Sequence, residues 1–207
     1  MQKKVKRGYY ASLYEVAAVL NSTRNPESVL SSIVKKVAHA LEAKGCSILL
    51  LSPDKKRLLH TVAYGLSDDY VRKGYILVDR SIAETLECGP VAISDAAGDE
   101  RVQYPEWKKT EGIVSILSVP MVLRDDAIGV IRVYTAEERH FTRDDIYFVS
   151  AVANLGALAL ENARLYDSIH KDYHTVMEEL LEWRAAFGDE WIGEGSDVVA
   201  TRWWEYI

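Results

Sequence analysis

The stretch "GIVSILSVPMVLRDDAIGVIRVY", Gly112 to Tyr134, decides the fold. Two apolar runs flank the polar "RDD", the pattern of two strands joined by a hairpin turn. Pro120 removes a ladder donor, which predicts a bulge or a free amide in the first strand. Side chains alternate along a strand. Ile116, Ser118 and Pro120 therefore share one face. In the second strand Ile128, Val130, Arg132 and Tyr134 share one face. Ala127, Gly129, Ile131 and Val133 form the smoother opposite face, suited to close helix packing. A hairpin with a polar-bearing face and an apolar face is either plain core or the floor of a site.

Downstream, Thr142 in "RHFTRDD" reads as a helix N-cap, with Asp144 and Asp145 in the first turn where negative charge suits the dipole. Val152, Leu155, Ala159, Asn162, Tyr166, Ile169, Tyr173, Val176, Leu180 and Trp183 then recur at spacings of three and four. This is a heptad seam, whose first half can pack on a sheet and whose second half calls for a partner helix. Asn162, polar on the seam, can fix register. Gly188 breaks the pattern. Upstream, "CSILLLS" (46–52) and "RLLHTVAYG" (57–65) are strand-like around a "PDKK" turn. Leu58, His60, Val62 and Tyr64 share one face of the second run by alternation. A helix with Asn25 as N-cap and Pro26 at its first position precedes them and ends at Gly45. Another covers Tyr9–Leu20. Residues 66–110 are polar and partly irregular, with a helix from Ser81 to Leu86 and a "PVAISD" strand; such a segment inside a compact domain is functional or mobile.

The chain has 207 residues, 48% hydrophobic and 27% charged, with net charge −6. This is globular composition, and an acidic surface disfavours nucleic acid. No apolar run matches a membrane span, and no apolar h-region follows the basic cluster Lys3, Lys4, Lys6 and Arg7. Cys46 and Cys88 form no CxxC pair, which fits a reducing, cytoplasmic setting. Residues 1–8 read as a basic arm, 9–166 as the domain, 167–187 as a helical extension and 188–207 as an acidic tail. That tail holds Trp191, Trp203 and Trp204; it packs back on the protein or docks a partner protein. Asp167, His170, His174 and Glu178 share a helical face, but one straight helix cannot surround an ion, so no metal is expected.

The element order, with "AYGLSDDY", "SIAETLECGPVAISDAAGDERV", "SILSVPMVLRDDAIGVIRVY" and "HFTRDDIYFVSAVANLGALALENARLY", resembles the GAF domain family from about Leu13 to Tyr166. The resemblance implies an α+β fold. A central antiparallel sheet of five or six strands would carry the terminal helices and the second helix on one face. Ligand-cavity loops and short helices would cover the other. It also implies a sensory or regulatory module for a small molecule, or a ligand-free dimerisation scaffold. Family cyclic-nucleotide sites carry Phe-x-x-x-Asp-Glu, where this chain has Phe141, Asp145 and Ile146. Bilin sites carry a Cys followed by His, which neither cysteine has. Free-methionine-sulfoxide reductases of this fold use a Cys-Asp where Glu111 and Gly112 stand here, and Cys88 lacks a resolving thiol. The expectation is therefore no enzyme, and the cofactor is unknown. The cavity face would hold His60, Tyr64, Ser118 and Arg132, with Tyr70, Tyr75, Asp95, Tyr104 and Trp107 from the covering segment. Arg132 favours an anionic ligand; alternatively these side chains fill the space themselves. A homodimer would form through Leu13, Ala17, Leu20, Leu155, Ala159, Asn162, Tyr166, Ile169, Tyr173 and Val176. At 207 residues there is no room for an output domain, so output would go to a separate protein.

Overall fold

A computed structural model describes the backbone of residues 2–22, 25–78, 83–96 and 98–187, and the side chains among these except 2–7, 22, 167–176 and 179–187. The chain divides into two units, Met1–Ala163 and Arg164–Ile207. In order the elements are α1 (Gln2–Ser22), α2 (Pro26–Ala40), β1 (Gly45–Leu51), β2 (Arg57–Tyr64), α3 (Asp68–Arg72), β3 (Ile76–Leu77), α4 (Ala83–Cys88), β4 (Val91–Ile93), α5 (Pro105–Glu111), β5 (Ser115–Leu123), β6 (Asp126–Thr135) and α6 (Arg143–Phe187). The strands form one antiparallel sheet in the order β3-β2-β1-β6-β5-β4.

Local chemistry sets these boundaries. Asn25 Oδ1 accepts from Glu27 N at 2.9 Å and Ser28 N at 3.4 Å, so α2 starts where its cap and Pro26 dictate. Thr142 caps α6 reciprocally: Asp145 N donates to Thr142 Oγ1 at 3.2 Å, and Thr142 N donates to Asp145 Oδ2 at 2.8 Å. The β5–β6 hairpin turns through Arg124 (φ 48°) and Asp125 (φ 70°), the paired positive φ of a type I′ turn.

One face of the sheet is apolar and carries helices. Cys46, Ile48, Leu117, Val119, Met121, Ile131 and Val133 pack with Leu30, Ile33, Val37, Val149, Val152 and Ala157 of α2 and α6. The close approach comes from the helix side: a Cβ on Gly156 would lie 3.1 Å from Met121 Cε and 3.3 Å from Ile33 Cδ1. Gly129, expected to serve helix packing, instead accommodates β1, where a Cβ would meet Leu49 O at 2.5 Å. Among the described residues one helical stretch, Arg143–Tyr166, is long and apolar enough to cross a membrane. Its Phe148, Val149, Val152, Ala153 and Ala157 are buried in this core.

The alternation expected for two strands is broken by bulges. Pairing with β1 steps from His60 to Val62, making Thr61 the extra residue. Leu58 therefore joins the core of the second face, while Val62 packs on the helix side. Ile128 is the extra residue between Ala127 and Gly129 and likewise packs on the helix side, away from Val130. The basic cluster near the N-terminus is not a separate arm: α1 begins at Gln2. Residues 66–110, expected to be partly irregular, hold α3, β3, α4, β4 and α5. Ser81, the expected cap there, and the Trp-rich tail lie outside the described residues.

Candidate functional site

The second face of the sheet gathers basic groups from four elements, Lys108 and Arg132 buried and His60 and Lys73 half-buried. Arg132, on β6, is 3% exposed and donates from Nε to Ser118 Oγ of β5 at 3.1 Å. His60 comes from β2 on the near side of the Thr61 bulge, which keeps it on this face while Val62 turns away. Lys73 is the C-cap residue of α3; its Nζ lies 3.2 Å from His60 Nε2 and 3.3 Å from the Tyr70 ring centroid, and donates to Tyr70 O at 2.8 Å. Lys108, on α5, is 1% exposed, and its Nζ donates to Gln103 O at 2.7 Å. Around them stand Tyr70 and Tyr134, edge-to-face at 5.9 Å, with the Tyr134 hydroxyl 3.0 Å from Ser47 Oγ.

These groups shape one another's protonation. Burial first, then Arg132 and Lys73, push Lys108 down to about 6. Burial and then Arg132 push Lys73 down to about 7, against a smaller opposing pull from Glu111. Burial and then Lys73, Arg132 and Lys108 push His60 down to about 3, so the ring is neutral. Its Nδ1 is buried with no hydrogen-bond partner among the described residues. Burial raises both Tyr70 and Tyr134, which stay neutral. Glu111 accepts from Ser67 N at 3.0 Å and from the Ser67 hydroxyl, and pairs with Lys44 at 3.7 Å.

Of the nine expected ligand residues, the structure brings four together: His60, Tyr70, Ser118 and Arg132. Tyr64 is on the opposite face because of the bulge, with its hydroxyl 2.8 Å from His39 Nε2 of α2. Tyr75 is 44% exposed and lies under the Arg57 guanidinium. The Tyr104 hydroxyl donates to Tyr75 O at 3.2 Å. Trp107 is 41% exposed, and Asp95 is exposed, accepting from Gly98 N at 3.3 Å. Lys73 and Lys108 were not singled out in the sequence. Residue type cannot separate Lys108 from Lys109; only the register of α5 turns Lys108 inward and Trp107 outward.

Among the expected dimer residues, Ala159 is buried in the chain's own core and Leu13, Leu20 and Leu155 pack against it. Amphipathic helices spend those positions on their own sheet first. Asn162 and Tyr166 are exposed and Ala17 is partly exposed; Ile169, Tyr173 and Val176 have side chains outside the described set, as do Asp167, His170 and His174. Cys46 is buried in the helix-side core, where burial pushes its thiol up, and Cys88 is exposed.

A GAF domain model matches residues 25–160. The formate hydrogenlyase transcriptional activator of Escherichia coli (strain K12) is 22% identical over 185 residues, which cover 85% of this chain and 26% of that protein. Its counterpart in Salmonella typhimurium (strain LT2) is 20% identical over the same shares. The chain thus spans about a quarter of the length of these curated relatives. Among solved structures, the GAF domain of a phosphoenolpyruvate-protein phosphotransferase from Coxiella burnetii superposes with TM-score 0.70 at 19% identity, over 78% of this chain and 98% of that one. A substrate complex of free methionine-R-sulfoxide reductase from Neisseria meningitidis gives 0.65 at 15%, over 76% and 91%. A phycoerythrobilin-bound GAF domain from a cyanobacterial phytochrome gives 0.62 at 14%, over 77% and 97%. The family match runs from the start of α2 through the whole sheet and the covering segment into α6, and the chain belongs to the GAF domain family.

Proposed function

We propose that this chain is a sensory or regulatory GAF module whose ligand is a small anion, held where His60, Lys73, Lys108 and Arg132 converge. The observation that carries this reading is a buried Lys108 and a half-buried Lys73 with neutral hydrogen-bond partners beside an arginine. Among the described residues no carboxylate comes within 4.0 Å of Lys73 or Lys108. Burying amines this way costs stability, and apolar residues of similar volume would serve packing better. Departures from good packing chemistry concentrate at functional sites. An oxyanion brings negative charge to these groups and accepts hydrogen bonds from Arg132 and from both lysines.

Such a ligand ties β2 and β6 to α3 and α5, fixing the covering segment on the sheet. Strand β6 carries the effect to the helix face, since Arg132 lies between Ile131 and Val133, which pack in the same core as α6. The role is binding: Cys46 lies in the helix-side core and Cys88 is exposed, so neither thiol belongs to this group of basic side chains. The readout runs through the terminal helices of a homodimer, for which Tyr10, Tyr14, Tyr147 and Leu158 offer exposed apolar surface. A partner protein or further domain receives the signal.

The test is a melting-temperature screen of the purified protein against sodium formate, acetate, succinate and sulfate near pH 6.5. At least one anion should raise the melting temperature of the wild type by several degrees at saturation. Arg132→Met should abolish that rise. No shift with any of the four, or an equal shift in Arg132→Met, contradicts the proposal. Light scattering of the same sample tests the dimer, which a monomer at micromolar concentration would contradict.

A further inference from the structure

Lys73 and Lys108 reach the same region from different helices, and each hydrogen bond they make ends on a neutral partner: Tyr70 O and His60 Nε2 for Lys73, Gln103 O for Lys108. Among the described residues, titratable and charged groups face them from the neighbouring elements: His60 on β2, Arg132 and Tyr134 on β6, Tyr70 on α3 and Glu111 on α5. Of these, the two tyrosines stay neutral in their buried setting. Glu111 is engaged by Ser67 and Lys44. An amine in a dry interior beside a guanidinium sheds its proton, and an anion arriving there restores it.

Resting on the anion site above, we propose that the anion is bound together with protons, taken up from solvent by Lys73 and Lys108. Each –NH2 becomes –NH3⁺, and no other bond is made or broken. In sum the site collects the elements of a weak acid, so its occupancy reports anion concentration and acidity as one quantity. The sign follows from linkage. Without the anion the two amines titrate at about 7 and about 6. The anion raises both values, so binding takes up protons above pH about 6 and affinity falls as pH rises. Below pH about 6 both amines are already charged in the free protein and the uptake disappears. His60 is held neutral until far lower pH and stays an acceptor for Lys73.

Isothermal titration of the full chain with sodium sulfate, formate, acetate and succinate near pH 8, in two buffers of different ionisation heat, decides the matter. The probes are essentially fully ionised there, so any proton taken up belongs to the protein. The heats should differ between buffers by the amount for one to two protons per anion, one for each re-protonated lysine. Affinity should weaken about tenfold per pH unit for each proton taken up. Lys73→Met and Lys108→Met should each take up one proton fewer; if either fails to fold, the wild-type buffer pair still decides. Binding with equal heats in both buffers and a pH-independent Kd would overturn the proton coupling and leave the anion site standing. No heat and no change in melting temperature with any of the four anions from pH 6 to 8 would remove both.

Discussion

Strand β6 serves two interiors that differ by one residue of register. Ile131 and Val133 enter a dry core against α2 and α6, where every neighbour is apolar and packing alone decides the energy. Arg132, between them, enters a layer that gathers Lys108, two tyrosine hydroxyls, His60 and Lys73. Lys108 and Arg132 are closed to solvent like the first interior, while His60 and Lys73 are half-buried. The first has the composition expected of a core that stabilises a fold; the second gives up stability to hold charge-bearing groups in place. The comparison teaches that in this sheet the helix side is apolar throughout its cluster and the covered side gathers the basic groups, so perturbing one should leave the other's signature intact.

The largest effect should come from the helix side. Ile33 is fully buried between α2 and the sheet, and Ile33→Ala should cost about 3 kcal/mol by chemical denaturation. The anion dependence of what remains should be unchanged. Lys108→Met should act in the opposite direction, raising ligand-free stability by about 2 kcal/mol because a buried amine gives way to an isosteric apolar chain. It should also flatten the pH dependence. Lys73, Lys108 and His60 all have folded values below their unfolded ones, so the unfolded chain binds more protons. Wild-type stability should therefore rise with pH between about 7 and 10, and Lys108→Met should rise less. A Lys108→Met protein less stable than wild type without anion would break the comparison.

A smaller effect sharpens it from the α1 side. The Tyr9 hydroxyl donates to the Asp145 carboxylate. Burial would raise that carboxyl, but Tyr9, Thr142 and Arg139 together hold it below its usual range. Tyr9→Phe should cost about 1.5 kcal/mol, a loss that shrinks as acid protonates Asp145. The smallest effect belongs to Tyr64. Its bond to His39 is solvent-exposed, so Tyr64→Phe should cost at most about 0.5 kcal/mol and leave anion binding untouched. A loss of anion binding in Tyr64→Phe would place that residue back in the site.

The hairpin, both helix N-caps and the sheet class were legible in the sequence because they rest on local chemistry: alternation, Asn25 with Pro26, and Thr142 with Asp145. Ser118 and Arg132 were legible for the same reason, since regular alternation holds from Ile116 to Pro120 and from Val130 to Tyr134. Tyr64 and Ile128 were not, because a bulge adds one residue and reverses the face of everything beyond it, and neither Thr61 nor Ile128 announces a bulge. Lys73 and Lys108 were hidden by residue type. Lysine is read as surface, and the aromatic Trp107 beside Lys108 drew the inward assignment that α5 gives to the lysine. The exposed helix positions were obscured because one heptad pattern serves both the chain's own sheet and a partner.

The central claim is that the covered face holds amines kept unprotonated by burial and by one another, ready for an anion. Nitrogen-15 and carbon-13 resonances of Lys73 and Lys108 Nζ and Cε, followed from pH 5 to 11 without and with a saturating anion, test it most directly. The account predicts midpoints near 7 and 6 in the free protein and a marked rise of both in the complex. Midpoints near the ordinary lysine value of about 10.4 in the free protein, unmoved by the anion, would contradict it.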